Sequence, residues 1–505
     1  MIEPAAVHHA ITTVLHAADD FVLVYFLVLN SFYAILLLLA IPELWSHWHL
    51  AEDEGLTRAL ASGALPGLSI LVPAYNEELT IVDSTLSFLT LEYTRHEVIV
   101  VNDGSDDGML PALVKAYELF PVPAAFMSTV RTKRVRNYYR SRRYSKLLVI
   151  DKENGGKADA LNAALNAAHH PYVLAVDADT LIEPDALLRL ARPFLLGQRI
   201  AAVGGTIRVA NACRIEHGRV VEARVDRRLL PGIQAIEYLR AFLFGRLGWN
   251  RLGGNLIISG AFGLFRREYL LAIRGWLTGS VAEDMDLVVR LHRYLRERRL
   301  KDSMPFIPDP VAWTEAPVSR AVLANQRERW HRGLLQTMWA HRGMLFNPRY
   351  GVLGFVTYPF FLFGEALAPL VELFGYATVV VGLAFGAVDV VFAQLFLCVA
   401  ILYGVLLSAW AILLEEATFR RYRRQSDVLR LLGYAFLEAV GYRQMTVWFR
   451  LKAFWKMLRG DQRWGTMRRE GFGAQPEATR VPSRPPVVAP PGALRSSLER
   501  EVVRD

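Results

Sequence analysis

The chain has 505 residues, 53% of them hydrophobic and 21% charged, with a net charge of +9 and a mean hydropathy of +0.22. This composition excludes a mostly disordered chain and a collagen-like or low-complexity fibre, while the length suits two or three folding units. Cys213 and Cys398 lie far apart without metal-ligand spacing, which argues against a disulfide scaffold or a cysteine zinc site and for a reducing compartment.

Residues 1–20 contain no Lys or Arg but do contain Glu3, Asp19 and Asp20. A cleaved signal peptide would need a basic start and a shorter apolar run, so these residues read as an extracytoplasmic tail. Residues 21–42 carry no charge. As a helix they would reach about 33 Å, enough for a hydrocarbon core of ~30 Å, which predicts a transmembrane helix over 21–43.

Residues 65–345 then alternate between short β-branched runs and helical patterns. Runs at 68–75, 97–101, 146–150 and 172–176 predict strands, and patterns at 76–91, 109–119 and 158–168 predict helices between them. The alternation predicts an α/β domain built on a sheet with helices on both faces. Ligands of such sheets bind beyond the carboxyl ends of the strands, and the polar clusters of this chain fall there. The insert 131–146 holds eight Lys or Arg with Tyr138, Tyr139 and Tyr144. Contact with an anionic leaflet is the first reading, a solvated face the second, and nucleic acid is not expected as a partner.

Residues 351–388 are apolar but interrupted by Glu365 and Glu372, and residues 390–414 are uncharged. The pattern predicts an interfacial stretch at 352–363, a span near 366–388 and another over 390–414. Glu365 and Glu372 are one heptad apart and share a face, where they would meet protein, a wet cavity or the headgroup level. Arg420, Arg421, Arg423 and Arg424 follow the last span. With the basic middle region they place the large domain in the cytoplasm of a multi-pass protein of the inner membrane. Residues 427–456 read as an interfacial amphipathic helix, and residues 471–505, rich in Pro and Arg, as a disordered tail.

No strand is followed by GxGxxG or GxxxxGK[ST], which disfavours a dinucleotide oxidoreductase or a P-loop NTPase. The strand ends offer carboxylates instead: Asp103 after the second, Asp177 and Asp179 after the fourth. Such a pair suits Mg2+ or Mn2+ held together with a diphosphate.

The ordered set Val72-Pro-Ala-Tyr-Asn-Glu77, Val101-Asn-Asp-Gly-Ser105, Gly156-Lys-Ala-Asp-Ala-Leu-Asn162, Asp177-Ala-Asp179, Ser259-Gly-Ala-Phe262, Glu283-Asp284 and Gln326-Arg-Glu-Arg-Trp330 resembles the family 2 inverting glycosyltransferases. With its flanking spans it is similar to their processive membrane branch, the cellulose, chitin, hyaluronan and poly-β-1,6-N-acetylglucosamine synthases. The resemblance implies a GT-A-type, Rossmann-like mixed sheet embedded between transmembrane helices. It implies that Tyr75, Glu77 and Asp103 cradle the nucleoside of a UDP-sugar, with Lys157 and Asp177 beside its phosphates. Asp177 and Asp179 would hold the metal, Asp179 more directly. Asp284, beside Glu283, would be the catalytic base, Arg329 would assist the diphosphate, and Gln326 and Trp330 would meet the acceptor. The threonine usual before Glu-Asp is Ala282 here, which puts the hold on the acceptor terminus in doubt.

The expectation is a metal-dependent transferase that extends a β-linked exopolysaccharide from a nucleotide-sugar donor. Membrane lipids and an accessory export subunit are further expected partners. Transfer of one sugar to a lipid or short acceptor is an alternative, and a nucleotide-sensing transporter or scaffold is another. Glucose and N-acetylglucosamine both remain open as the donor sugar, the latter favoured by the resemblance.

Overall fold

The computed structural model describes residues 4–51, 65–123, 128–195, 197–216, 218–386, 391, 394–395, 401–422 and 424–459. The tail expected over 471–505, Cys398 and much of the span expected over 390–414 lie outside the described residues.

The centre is a ten-stranded mixed sheet. In chain order its strands are β1 (Leu68–Ala74), β2 (His96–Asp103), β3 (Leu119–Val122), β4 (Val135–Ser141), β5 (Leu147–Lys152), β6 (Tyr172–Val176), β7 (Leu181–Ile182) and β8 (Ala202–Val209); β9 (Arg214–Glu216) and β10 (Arg219–Glu222) form a separate hairpin, and β11 (Phe262–Arg266) and β12 (Phe306–Thr314) complete the sheet. The spatial order is β3-β4-β5-β2-β1-β6-β11-β8-β12-β7. The four strands expected from sequence are the parallel centre, β5-β2-β1-β6. Antiparallel β4 and β11 flank it, so the sheet is mixed.

Side chains alternate across a strand, and the core divides accordingly. Ile70, Val72, Val98, Val100, Leu147, Val149 and Leu174 point into one layer with Ile81, Phe88, Met109 and Leu113. Leu71, Ile99, Val101, Leu148, Ile150 and Val173 point into the other with Leu161, Leu165, Leu287 and Leu291. β1, β2, β5 and β6 are buried on both faces, which is why the sequence shows runs there rather than alternation.

The basic insert is β4, zipped between β3 and β5. It lies six strand spacings from β8, roughly 29 Å across the sheet, whereas Arg208 of β8 is ion-paired with Glu415 of the helix Tyr403–Phe419. Arg131, Lys133, Arg134 and Arg136 are exposed, the condition of a solvated face.

The N-terminal helix runs unbroken over Pro4–Ala51, so the residues expected as a tail are, from Pro4 onward, its first turns. Its stretch Thr12–Ser46 is long and apolar enough to cross a membrane. Phe21, Val24, Val28 and Leu38 face outward, while Leu37, Ala40 and Leu44 join the core. The stretch Leu353–Ala366 and the helix Ala368–Ala384 pass the same test as one span bent by 44°. Glu365 and Glu372 therefore stand on either side of a break rather than on one straight helix. The single amphipathic helix expected over 427–456 is two helices, Gln425–Leu437 and Arg443–Leu458. Val440 leaves helical geometry and Gly441 sits at φ +85°, a left-handed value that favours glycine.

Candidate active site

The carboxyl ends of β1, β2 and β6 open into a cavity of about 1740 Å³. Tyr75, Glu77, Asp103, Lys157, Asp177, Asp179, Glu283, Asp284, Gln326, Arg329 and Trp330 all line it. The motifs, spread over more than 250 positions of sequence, thus meet in one space.

The loops after β1 and β2 are tied to each other. Ser105 Oγ accepts from Asn76 N at 3.0 Å, Asn76 Oδ1 accepts from Asp106 N at 2.9 Å, and Asp107 Oδ2 accepts from Glu78 N at 3.0 Å. Tyr75 is left half exposed, its hydroxyl 3.4 Å from Asp106. Glu77 accepts from Thr80 at 3.0 Å.

Asp103 is buried and its carboxylate is fully engaged. Oδ1 lies 2.5 Å from Lys152 Nζ and 3.0 Å from Gly155 N, and Oδ2 lies 2.7 Å from Gly156 N. Lys152, itself without exposure, also reaches Asp159 at 2.7 Å. This pair fixes the Gly155–Gly156 turn that launches the helix Lys157–Ala167. Gly156 takes φ +85°, which carries no side-chain clash at glycine.

Lys157 sits in the first helical turn, where the helix dipole disfavours a cation. Carboxylates and a carbonyl hold it there: Asp177 Oδ1 at 2.5 Å, Glu283 Oε1 at 3.7 Å and Gly260 O at 3.1 Å. Burial alone would lower its pKa, but Asp177, Glu283 and Asp284 together raise it above the ordinary lysine value. Asp284 opens the helix Glu283–Glu297 and accepts from Gly260 N at 2.9 Å and Met285 N at 2.8 Å. Gly260 therefore joins Asp284 and Lys157 through its own backbone. A Cβ there would stand 3.0 Å from Asp284 Oδ2 and 3.2 Å from Lys157 Nζ.

Burial raises the Glu283 carboxyl above its usual range; Lys157 works against this and Asp284 adds to it. Asp286 faces away from the cavity chemistry, paired with Arg290 at 2.6 Å and His341 at 3.0 Å. It belongs to the scaffold, as a residue of the helix start should. Arg329, Gln326 and Trp330 lie on the helix Arg320–Ala340. Burial pushes the Arg329 pKa down, against the pull of Glu283, Asp284 and Asp177. Gln326 is buried with Oε1 unpartnered among the described residues. Trp330 has Arg327 stacked 4.7 Å from its ring centre, which leaves its other face for the cavity. Ala282 packs against Gly333, where an added Cβ would come within 2.4 Å of the Ala282 Cβ.

Asp177 and Asp179 stand two residues apart just past β6, Asp179 buried and Asp177 partly open. Among the described residues no group of three or more His, Cys, Asp or Glu could hold a metal alone. A two-carboxylate site fits a hard cation whose remaining ligands are phosphate oxygens and water.

Sequence reasoning missed Lys152, Gly260 and Gly333. Lys152 had a signal, the second of two charges after the apolar run 147–150, and Gly260 lay inside the Ser259–Phe262 motif; Gly333 had none, because its partner is distant in sequence.

A family model described as glycosyltransferase like family 2 matches residues 66–333. The poly-beta-1,6-N-acetyl-D-glucosamine synthase of Staphylococcus epidermidis is 29% identical over 279 residues, 54% of this chain and 57% of that protein. The synthase of the same name from Staphylococcus aureus (strain COL) is 29% identical over 53% of this chain and 55% of its own length. The matches thus span little more than half the length of these relatives. Among solved structures, the mannosyltransferase PcManGT from Pyrobaculum calidifontis, in complex with GDP-Man and Mn2+, superposes with a TM-score of 0.45 at 18% identity, covering 84% of this chain and 99% of that one. TarS 1-349 of S. aureus in complex with UDP-GlcNAc gives 0.35 at 16% identity, covering 78% and 92%.

Proposed function

The chain belongs to the glycosyltransferase like family 2, and from that premise we propose that it is a membrane-anchored inverting transferase extending a β-linked polymer from a UDP-sugar. UDP-N-acetylglucosamine is the proposed donor, since the relatives at 29% identity are poly-beta-1,6-N-acetyl-D-glucosamine synthases. The observation that carries the reading is the convergence of Asp284, Lys157, Arg329 and the Asp177–Asp179 pair on one cavity, which continues between the apolar helices past Tyr33, Glu365 and Glu372.

In the proposed reaction Asp284 accepts the proton of one acceptor hydroxyl. The hydroxyl oxygen bonds to the anomeric carbon on the face opposite the diphosphate, and the bond from that carbon to the diphosphate oxygen breaks. Lys157 and Arg329 stand where negative charge develops on the departing UDP, in a site sheltered from bulk water. Mg2+ or Mn2+, held by Asp177 and Asp179, would neutralise the same diphosphate. Tyr75 and Glu77 flank the proposed nucleoside site, Asp103 positions Lys157 through the Gly155–Gly156 turn, and Gln326 and Trp330 meet the acceptor. Asp177 occupies Lys157 until a phosphate competes for it.

The test uses the full chain in lipid nanodiscs, offered a panel of radiolabelled UDP-sugars with either cation, with products sized on a gel. Incorporation of one sugar into long product, lost in Asp179→Asn and Asp284→Asn, is expected. Product of one or two sugars would replace polymerisation by transfer to a short acceptor. UDP binding without turnover of any donor would overturn the transferase reading.

A further inference from the structure

The cavity wall carries five arginines on its deeper side, and four of them have carboxylate partners. Arg240 pairs with Glu438 at 2.5 Å, Arg443 with Glu372 at 3.0 Å, Arg450 with Glu365 at 3.6 Å, and Arg327 with Glu237. Arg246 is the exception. Among the described residues no carboxylate pairs with it, and its Nη1 is buried without a hydrogen-bond partner. Its guanidinium rests 4.1 Å from the ring centre of Phe242 and 5.6 Å from that of Phe306. Burial pushes its pKa down to about 10, with Asp284 and Tyr238 pulling the other way, so it remains a cation at neutral pH.

The chain takes trouble to hold Arg246 there. It follows a π-helical stretch, Arg240–Gly245, and opens the helix Arg246–Leu252. Asn250 of that helix is locked to β12, donating to Phe306 O at 2.7 Å and accepting from Phe306 N at 2.9 Å, and Asn255 donates to its Oδ1 at 2.8 Å. The other side of the helix lies against the N-terminal helix, Gly248 beside the Leu36 backbone. Arg246 thus occupies the wall between the proposed base and the membrane helices. A guanidinium that lines the cavity with no carboxylate partner among the described residues is a ready charged donor to a ligand oxygen arriving there.

We propose that Arg246 is an acceptor-binding residue whose cavity-facing guanidinium donates to an oxygen of the terminal acceptor sugar, a hydroxyl or an acetamido carbonyl, beside Asp284. The assignment rests on the transferase reading of the site. It gives the chain a charged hold on an uncharged glycan in a region where the usual threonine before Glu283 is absent. The flat Phe242 ring, 4.1 Å from the guanidinium carbon, holds the group at the cavity wall.

The experiment compares wild type, Arg246→Met and Arg246→Lys in nanodiscs. It measures UDP affinity, UDP-sugar hydrolysis without acceptor, and the KM for a short β-linked oligosaccharide acceptor. Arg246→Met should raise the acceptor KM about tenfold or more, the effect of losing a hydrogen bond from a charged donor, with UDP affinity and hydrolysis unchanged. Arg246→Lys should recover part of the loss. A thermal unfolding scan reports whether Arg246→Met folds; if it does not, Arg246→Lys alone decides by the same split. An unchanged acceptor KM would overturn the assignment, as would weakened UDP binding, which would make the ligand a phosphate. Transfer that survives Asp284→Asn would sink the reading of the site itself, whatever the Arg246 variants do.

Discussion

Lys152 contacts no proposed substrate, yet the donor end of the cavity depends on it. Its ammonium is enclosed between Asp103 and Asp159, and Asp103 in turn holds the two amides that turn the chain into Lys157. Removing one member of a buried ion set leaves the others charged and unpaired, at a cost of about 3–5 kcal/mol. Lys152→Met should therefore lower the melting temperature by several degrees and weaken UDP binding together. A thermal unfolding scan beside a UDP titration checks this, and an unchanged Tm would mean that Asp103 and Asp159 find other partners. The lysine was visible in the sequence as the second of two charges, Asp151 and Lys152, after an apolar run, but its role was not. Only the register of β2 against β5, which pairs Asp103 with Lys152, reveals it.

At the scale of elements, the proposed catalytic geometry is the fit between two helices. Glu283–Glu297 brings Asp284, Arg320–Ala340 brings Arg329, and they meet where Ala282 lies on Gly333. The Asp286–His341 contact pins the same pair one turn further along. Gly333→Ala would put one Cβ 2.4 Å from another and 3.1 Å from the Ala282 amide, so the helices must part by about 1 Å to restore ordinary carbon contact. The expected result is a fall in kcat of about a hundredfold, since displacements of ~1 Å in a reacting geometry have that effect. Donor affinity should change little. Initial rates at saturating donor and acceptor measure it, and a kcat within twofold of wild type would show that the fit is slack. The elements themselves were unequally legible. The central strands stood out because burial on both faces leaves an apolar run. β4 did not, because its exposed face is arginine, nor β8 and β12, whose Gly204, Gly205, Pro308 and Pro310 weaken the local strand signal. Those strands are held by sheet partners far away in sequence rather than by local preference.

Over the whole molecule, the cavity proposed to receive the sugar does not stop at the sheet domain. Its wall passes from Asp284 and Trp330 to Tyr33, Gly364, Glu365, Ala368, Gly404 and Leu407, residues of helices whose other faces are apolar and exposed. Charged groups in such a place persist when they are paired and face a wet interior, and Glu365 and Glu372 are each paired with an arginine. Those ion-paired carboxylates, with Tyr33, would give a growing glycan hydrogen-bond partners along the proposed path. Gly404 offers a way to test the path without touching the proposed chemistry. It lies on the wall, and a Cβ built there meets nothing within 4 Å, so Gly404→Phe should place its ring in open space rather than against a neighbouring helix. If product leaves by this route, Gly404→Phe should shorten the polymer severely while the first transfers, and the UDP release that accompanies them, continue near the wild-type rate. Gel sizing of the radiolabelled product against UDP released per minute separates the two. Full-length polymer from Gly404→Phe would mean that the chain leaves the site elsewhere, and that the ion pairs between these helices serve packing alone.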